Sequence, residues 1–173
     1  MVLRHPCAVA NSKMQANWDN SLTHFLIQEE LKKDFLAPYL KEINAAQSEF
    51  DKHIFWWCIE NYVPLKQFNE SEILIIFYEE LYKNPQHEIN NILSFIGEEF
   101  TSKFINNVYQ PSAVSTKDSA ILTGKDVIND WRKNISKNQI NRAIEICSFF
   151  GLDKIYNESS SPLVVGNEAL NIL

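Results

Sequence analysis

Two apolar runs in the sequence predict strands of a parallel sheet. The clearer one spans Glu72 to Tyr78, where a continuous, isoleucine-rich run is typical of a strand buried on both faces. Val2 and Leu3 predict the end of a second buried strand at the start of the chain. Helix-compatible sequence follows each run, and this alternation is typical of α/β proteins.

Apolar positions that repeat every three to four residues predict helices over much of the remaining chain. The most apolar helix is predicted over 50–63, and Pro64 is expected to end it. Another helix is predicted to begin at Pro85 and to end at Gly97, and a third to begin with a capping box at 136–139. The pattern therefore predicts a helix-rich α/β fold with a parallel sheet flanked by helices.

The most apolar helix carries three adjacent aromatic residues, Phe55, Trp56 and Trp57. A stripe of this kind is typical of a packed core. It is also suited to lining a substrate cleft, so both interpretations stay open at this point.

The composition is that of one globular domain. The chain has 173 residues, of which 45% are hydrophobic and 22% are charged. We expect a domain over 1–156 and a flexible tail over 157–173, where 159–162 are three serines and a proline. No apolar run reaches membrane-spanning length, and no signal-peptide pattern follows Met1.

The net charge of -6 argues against broad binding to nucleic acid or to anionic membranes. An anionic ligand therefore needs a local cationic cluster. The three cysteines form no C-x-x-C pair and the four histidines lack metal-ligand spacing, so we expect neither a metal site nor a disulfide framework. Reduced, buried thiols indicate a reducing compartment, which we take to be the cytoplasm.

The strongest candidate for chemistry is the segment from Arg4 to Ser12. Pro6 suits the first turn of a helix that follows the first strand. An anion at this junction is expected to meet free backbone N–H groups and the positive end of the helix dipole. Arg4 adds a planar, charged fork and Ser12 a hydroxyl donor. The alternative is a surface salt bridge for Arg4 and an ordinary helical role for Ser12.

A strand end followed by Arg-x-Pro, with a serine eight positions after the arginine, resembles the 3′-phosphate-binding segment of the sulfotransferases. These enzymes transfer a sulfuryl group from 3′-phosphoadenosine 5′-phosphosulfate (PAPS) to a hydroxyl or an amine. The run Tyr78-Glu79-Glu80-Leu81 resembles the family's Y-E-D-L segment. Asp130-Trp131 resembles the end of the family's R-K-G-x-x-G-D-W loop, which aligns Lys125 with the family lysine.

The resemblance implies a P-loop-NTPase-like sulfotransferase fold that is incomplete at its N-terminus. It implies that Arg4 and Ser12 bind the 3′-phosphate of PAPS, and of its product adenosine 3′,5′-bisphosphate. Tyr78 is expected to pack on the adenine, and Lys125 to close over the phosphate from its loop. The alternatives are that Tyr78 only covers the end of the sheet and that Lys125 is a solvated loop lysine.

The sequence also departs from the family pattern. Gly124 aligns with the loop arginine, and Asp126 and Asn129 align with the two loop glycines. The family's K-x-G-T loop, which holds the 5′-phosphosulfate, and its catalytic base both lie upstream of the Arg-x-Pro segment. We therefore expect a truncated sulfotransferase that is inactive alone, or one that receives its N-terminal half from another polypeptide or in an oligomer.

Three functional hypotheses remain. In the first, the chain is a PAPS-dependent transferase whose small-molecule, carbohydrate or protein acceptor is selected by the helices between Trp18 and Val63. In the second, it is a degenerate, non-catalytic interaction module. The third, a nucleotide kinase relative, is disfavoured because the sequence lacks G-x-x-x-x-G-K-(S/T).

Overall fold

A computed structural model describes residues 1–99 and 126–173. Within them, strands β1 (Val2–Leu3) and β2 (Ile76–Phe77) form a parallel pair. Val2 lies opposite Ile76, and Leu3 lies opposite Phe77. The fold of the described residues is a small parallel sheet among many helices, which agrees with the predicted α/β class.

The described residues also form eight α-helices. They are α1 (Pro6–Gln15), α2 (Thr23–Leu26), α3 (Glu29–Leu31), α4 (Leu40–Asn44), α5 (Glu49–Gln67), α6 (Tyr78–Lys83), α7 (Pro85–Ile96) and α8 (Lys137–Phe149). A π-helical turn covers Lys32–Leu36, and 3₁₀ turns cover Ala37–Tyr39, Asp130–Lys133, Leu152–Lys154 and Gly166–Asn171.

The core forms where α5 packs against both α1 and α8. Ile54 and Phe55 of α5 and Ile146 of α8 are fully buried there. Burying one such side chain contributes about 1.5–3 kcal/mol. Trp57 is also buried, so the aromatic stripe of α5 is largely core, as one of the two interpretations predicts. Trp56 is only partly buried and packs at the margin of this core.

Pro64 does not end α5, which corrects the predicted boundary. The helix continues to Gln67, and the backbone N–H of Phe68 donates to the Pro64 carbonyl at 3.0 Å. A proline removes one hydrogen bond from the preceding turn. Leu65, which follows it, is buried against the core. This burial favours one more helical turn.

The other predicted helix ends are confirmed. Gly97 follows α7 with a φ of 75°, a left-handed conformation that glycine adopts without strain. Ser136 and Gln139 form the expected capping box at the start of α8.

The second strand is shorter than predicted. Only Ile76 and Phe77 pair with β1, and Tyr78 already begins α6. The preceding residues, Ile73 and Ile75, are hydrogen-bonded by the side chain of Asn167, and no strand within residues 1–99 or 126–173 pairs with them.

The C-terminal segment 157–173 lies against the rest of the chain. It forms the 3₁₀ turn Gly166–Asn171, in which Ala169 is fully buried. Leu163 donates its backbone N–H to the Ile155 carbonyl at 2.9 Å. The predicted flexibility concerns motion and stays a prediction.

Candidate functional site

Arg4 and Tyr78 lie side by side at the carboxyl edge of the sheet. Each directly follows a strand, and the parallel register places Leu3 beside Phe77. The guanidinium carbon of Arg4 lies 4.3 Å from the centre of the Tyr78 ring. This is the geometry of a cation–π contact. The structure therefore brings together two of the predicted site residues.

The guanidinium of Arg4 has no acidic partner in the described part of the chain. Its Nη2 donates to the carbonyl oxygen of Val127 at 3.2 Å. No carboxylate oxygen of residues 1–99 or 126–173 lies within 4 Å of its nitrogens. The Arg4 backbone is fixed from the other side, because its carbonyl accepts a hydrogen bond from Trp57 Nε1 at 3.0 Å. A half-buried cation without an ion pair, on a firmly held backbone, is suited to binding an anion.

The Tyr78 ring is half-buried, and burial raises the pKa of its hydroxyl above the ordinary value of 10.0. The nearby Arg4 charge acts in the opposite direction. The hydroxyl is therefore neutral near pH 7. The ring offers a flat aromatic surface next to a cation, and a purine can stack on such a surface.

Glu79, the next residue, links the start of α6 to the segment that follows β1. Its Oε1 accepts the backbone N–H of His5 at 2.9 Å, and its Oε2 accepts the Tyr156 hydroxyl at 2.7 Å. The side chain is buried, and burial raises the pKa of its carboxyl group. Its two hydrogen bonds oppose that rise because they favour the carboxylate.

His5 closes the N-terminus of α1. Its Nδ1 accepts the backbone N–H of Cys7 at 3.2 Å, so its Nε2 carries the proton and donates to the Asn157 carbonyl at 2.9 Å. The ring stacks on Trp131, with centroids 4.6 Å apart. Burial lowers the pKa of His5 to about 4. This histidine is neutral, and both of its nitrogens are engaged in structural hydrogen bonds.

The expectation of free backbone donors at this helix N-terminus is wrong. Pro6 has no N–H group, and the Cys7 N–H is bound by the His5 ring. The Ala8 and Val9 N–H groups both donate to the His5 carbonyl, at 2.9 and 3.1 Å. A phosphate at this edge must therefore be held by side chains and not by the backbone of α1.

Ser12 is exposed on α1, six positions beyond the first residue of that helix. Its hydroxyl makes no hydrogen bond within residues 1–99 and 126–173, so the structure does not join it to Arg4 or Tyr78. Lys125 lies outside the described residues, and so does the polar segment predicted over 109–123. The roles of Ser12 and Lys125 in binding phosphate stay predictions.

The Asp130-Trp131 segment packs beside this edge. Trp131 is buried against His5, and the Arg132 guanidinium lies 4.6 Å from the centre of its ring. Arg132 Nε donates to Ser160 Oγ at 2.9 Å, and Nη2 of the same residue donates to the Glu158 carbonyl. Neither Arg4 nor Arg132 forms an ion pair among the described residues, but Arg132 is held to the C-terminal segment by these two hydrogen bonds, whereas the Arg4 guanidinium makes one hydrogen bond, to the Val127 carbonyl.

Two residues that support the site through buried hydrogen bonds, Glu79 and His5, were not assigned from the sequence. The sequence did contain an indication for Glu79. It follows a predicted buried strand directly, so its side chain is expected to begin in the core and to need hydrogen-bond partners there. No local signal identified His5, whose ring contacts with Trp131 and Asn157 join residues more than 120 positions apart.

Residues 1–99 and 126–173 contain neither a membrane-spanning helix nor a metal-binding cluster. None of their helices combines the length and apolarity needed to cross a bilayer. No group of three or more acidic, cysteine or histidine side chains in these residues is arranged to hold a metal ion.

Comparisons with known proteins assign the family. The family model described as "Sulfotransferase domain" matches residues 1–157. The chain is 24% identical over 143 residues to "Sulfotransferase 1C2" of Homo sapiens, a match that covers 72% of this chain and 46% of that protein. It is 22% identical over 125 residues to "Sulfotransferase 1B1" of Mus musculus, covering 62% and 39% respectively. No solved structure is significantly similar to it.

The chain therefore belongs to the sulfotransferase family, and the resemblance stated from its motifs is confirmed. It spans less than half the length of these two relatives.

Proposed function

We propose that this chain binds the adenosine 3′,5′-bisphosphate part of PAPS at the carboxyl edge of β1 and β2. Arg4 binds the 3′-phosphate and Tyr78 packs on the adenine. Ser12 and Lys125 complete the phosphate site by analogy with the family. The observation that carries the proposal is the Arg4 guanidinium, which has no acidic partner among the described residues and lies 4.3 Å from the centre of the Tyr78 ring.

The charge of the ligand favours this cation. A phosphate monoester carries between one and two negative charges near pH 7, and the guanidinium fork can donate two parallel hydrogen bonds to it. The overall charge of -6 opposes anion binding, so the local charge of Arg4 must dominate. Since the guanidinium already covers part of the Tyr78 ring, adenine would stack on the opposite face.

We further propose that the chain is the nucleotide-binding part of a PAPS-dependent transferase with the P-loop-NTPase-like sulfotransferase fold. In the reaction, the bond between sulfur and the bridging oxygen of the phosphosulfate breaks, and sulfur bonds to the oxygen of an acceptor hydroxyl or the nitrogen of an acceptor amine. The acceptor loses its proton to a base, and adenosine 3′,5′-bisphosphate leaves. None of the described residues is assigned as that base, and His5 is unsuited because both of its nitrogens are engaged. The three cysteines are free thiols, which supports a cytoplasmic setting.

A titration with adenosine 3′,5′-bisphosphate by isothermal calorimetry tests the site. Arg4→Ala removes hydrogen bonds to a charged group, each worth roughly 1.5–3 kcal/mol. We expect the dissociation constant to rise about tenfold to hundredfold. Arg142→Ala is the matched control, because Arg142 is a guanidinium on α8 that pairs with Asp51 and Glu145. The proposal is refuted if the wild type does not bind, or if both variants bind equally well.

A second function, a non-catalytic interaction module, is favoured by one observation. The backbone donors at the start of α1 are all used within the protein, which leaves a phosphate fewer partners than the sequence suggested. The same titration decides between the two. Binding of a protein partner without any thermal shift by the nucleotide would support the module.

A further inference from the structure

The segment that leads into β2, residues 73–75, is bound on its outer side by one side chain from outside the family match. Asn167 lies in the 3₁₀ turn Gly166–Asn171, ten residues beyond the last matched residue. Its Oδ1 accepts the backbone N–H of Ile75 at 2.8 Å, and its Nδ2 donates to the Ile73 carbonyl at 3.2 Å. One carboxamide therefore satisfies a donor and an acceptor that a neighbouring strand would otherwise pair.

The inner edge of the same segment is bound by Met1. The terminal amino group of Met1 donates to the Leu74 carbonyl at 2.7 Å, and the Ile76 N–H donates to the Met1 carbonyl at 2.9 Å. Residues 74 and 76 thus face β1, while Ile73 and Ile75 face away from it, as strand alternation requires. Asn167 takes the place that a strand would have on the outer side.

The turn that carries Asn167 is built to present it. Gly166 has a φ of +47°, and a Cβ added there would lie 3.9 Å from the Ile75 carbonyl oxygen. Glu168 Oε2 accepts the Val165 N–H at 3.1 Å, and Ala169 is fully buried. A left-handed glycine, a closed first turn and a buried anchor together fix the position of this carboxamide.

The C-terminal part of the chain also binds the other end of β2. Tyr156 donates to Glu79, which directly follows Tyr78, and Asn157 accepts from the His5 ring. Asn167 holds the amino end of the strand in the same way. Because β2 is only two residues long, and a pair of short strands is marginally stable by itself, contacts at both ends determine where Tyr78 lies.

We propose that Asn167 is a positioning residue for the nucleotide site, acting through the segment that leads into β2 to hold the Tyr78 ring against Arg4. This proposal rests on the proposed function above. It makes the segment beyond the matched domain part of the working site, although Asn167 itself does not touch the ligand.

The test compares wild type, Asn167→Ala, Asn167→Asp and Asn171→Ala. Asn171 is an exposed asparagine of the same turn and serves as the matched control. Two quantities are measured: amide exchange at Ile76 by NMR, and the dissociation constant for adenosine 3′,5′-bisphosphate. Ile76 donates to Met1 and not to Asn167, so its exchange reports the stability of the strand pair and not the deleted bond.

We expect Asn167→Ala to accelerate Ile76 exchange and to raise the dissociation constant about fivefold or more, from two lost hydrogen bonds. Asn167→Asp keeps the acceptor for Ile75 but places a carboxylate oxygen against the Ile73 carbonyl oxygen, so an effect at least as large as that of alanine is expected in a variant of unchanged size. Asn171→Ala should match the wild type. Unchanged exchange and affinity in Asn167→Ala overturn the proposal.

The two proposals fail in different ways. If the wild type binds no nucleotide, the proposed function is wrong. The exchange rate of the Ile76 amide then decides by itself whether Asn167 stabilises the strand pair. If the wild type binds and Asn167→Ala binds equally well, only the positioning role is wrong.

Discussion

Replacing Glu79 by alanine tests how the two strand ends are held together. The substitution removes the acceptor for the His5 N–H and the Tyr156 hydroxyl, both of which are buried. Each buried donor left without a partner costs roughly 1–3 kcal/mol. Part of that cost is offset, because the raised pKa of Glu79 shows that burying its charge is itself unfavourable. We expect a net loss of about 3 kcal/mol in the free energy of unfolding, to which loss of packing contributes.

Urea denaturation followed by circular dichroism measures this loss, and thermal melting provides a second estimate. For a chain of this size, about 3 kcal/mol corresponds to a melting temperature lowered by roughly 6–12 °C. Two variants act as controls. Glu80→Ala removes the neighbouring, partly exposed carboxylate, whose contact with Lys83 is worth at most about 1 kcal/mol.

Glu79→Gln is the second control. Its oxygen can accept from His5 and its amide can donate to a reoriented Tyr156 hydroxyl, so we expect it to lose less than about 1 kcal/mol. The reasoning is refuted if Glu79→Ala is no less stable than Glu80→Ala. It is also refuted if the glutamine variant loses as much as the alanine variant.

Two further predictions concern stability. Below pH 6.5 the unfolded chain protonates His5, while burial keeps the folded group neutral down to about pH 4. The contribution of His5 to the free energy of unfolding is therefore largest above pH 6.5, and it falls by roughly 3 kcal/mol as the pH drops to about 4. Urea denaturation of wild type and His5→Gln across this range should show a difference that narrows with acidification; a constant difference would contradict it. The raised pKa of Glu79 acts in the opposite direction, since it favours the folded state as the pH falls. Because Glu79 is present in both proteins, its contribution cancels in the difference between them. At the start of α8, Ser136→Ala should cost about 1 kcal/mol in the same assay, because it removes the cap on the Gln139 N–H. An equal effect of Ser148→Ala, near the other end of that helix, would contradict the capping role.

Local rules predicted the helices well. The end of α7 at Gly97 and the start of α8 at Ser136 depend on residues within a few positions of each boundary. Pro64 was misjudged because its local effect was outweighed by the burial of Leu65, which depends on distant parts of the chain.

The meeting of Arg4 and Tyr78 was predictable for a topological reason. Each follows an apolar run, and the carboxyl ends of parallel strands lie at the same edge of a sheet. The sequence did not show that the backbone N–H groups at the start of α1 are already hydrogen-bonded within the protein. One of these donors, the Cys7 N–H, is bound by the His5 ring, which is held in place by Trp131 and Asn157, more than 120 residues away.

The hydrogen-bond partners of the second strand could not be predicted from the sequence either. The apolar run from Glu72 to Tyr78 predicts where a strand lies but not what pairs with it. A single asparagine in a segment that the sequence predicts to be flexible binds its outer edge. A side chain that takes the hydrogen-bonding place of a strand leaves no repeat in the sequence, so the spacing of apolar residues cannot predict it.

The most direct test of the account compares two ligands that differ only in one phosphate. Calorimetric titration of the wild type and Arg4→Ala with adenosine 3′,5′-bisphosphate and with adenosine 5′-monophosphate isolates the 3′-phosphate. We expect the wild type to prefer the bisphosphate by about tenfold or more, and Arg4→Ala to lose that preference. Equal affinity of the wild type for the two nucleotides, or an undiminished preference in Arg4→Ala, would contradict the assignment of Arg4 to the 3′-phosphate.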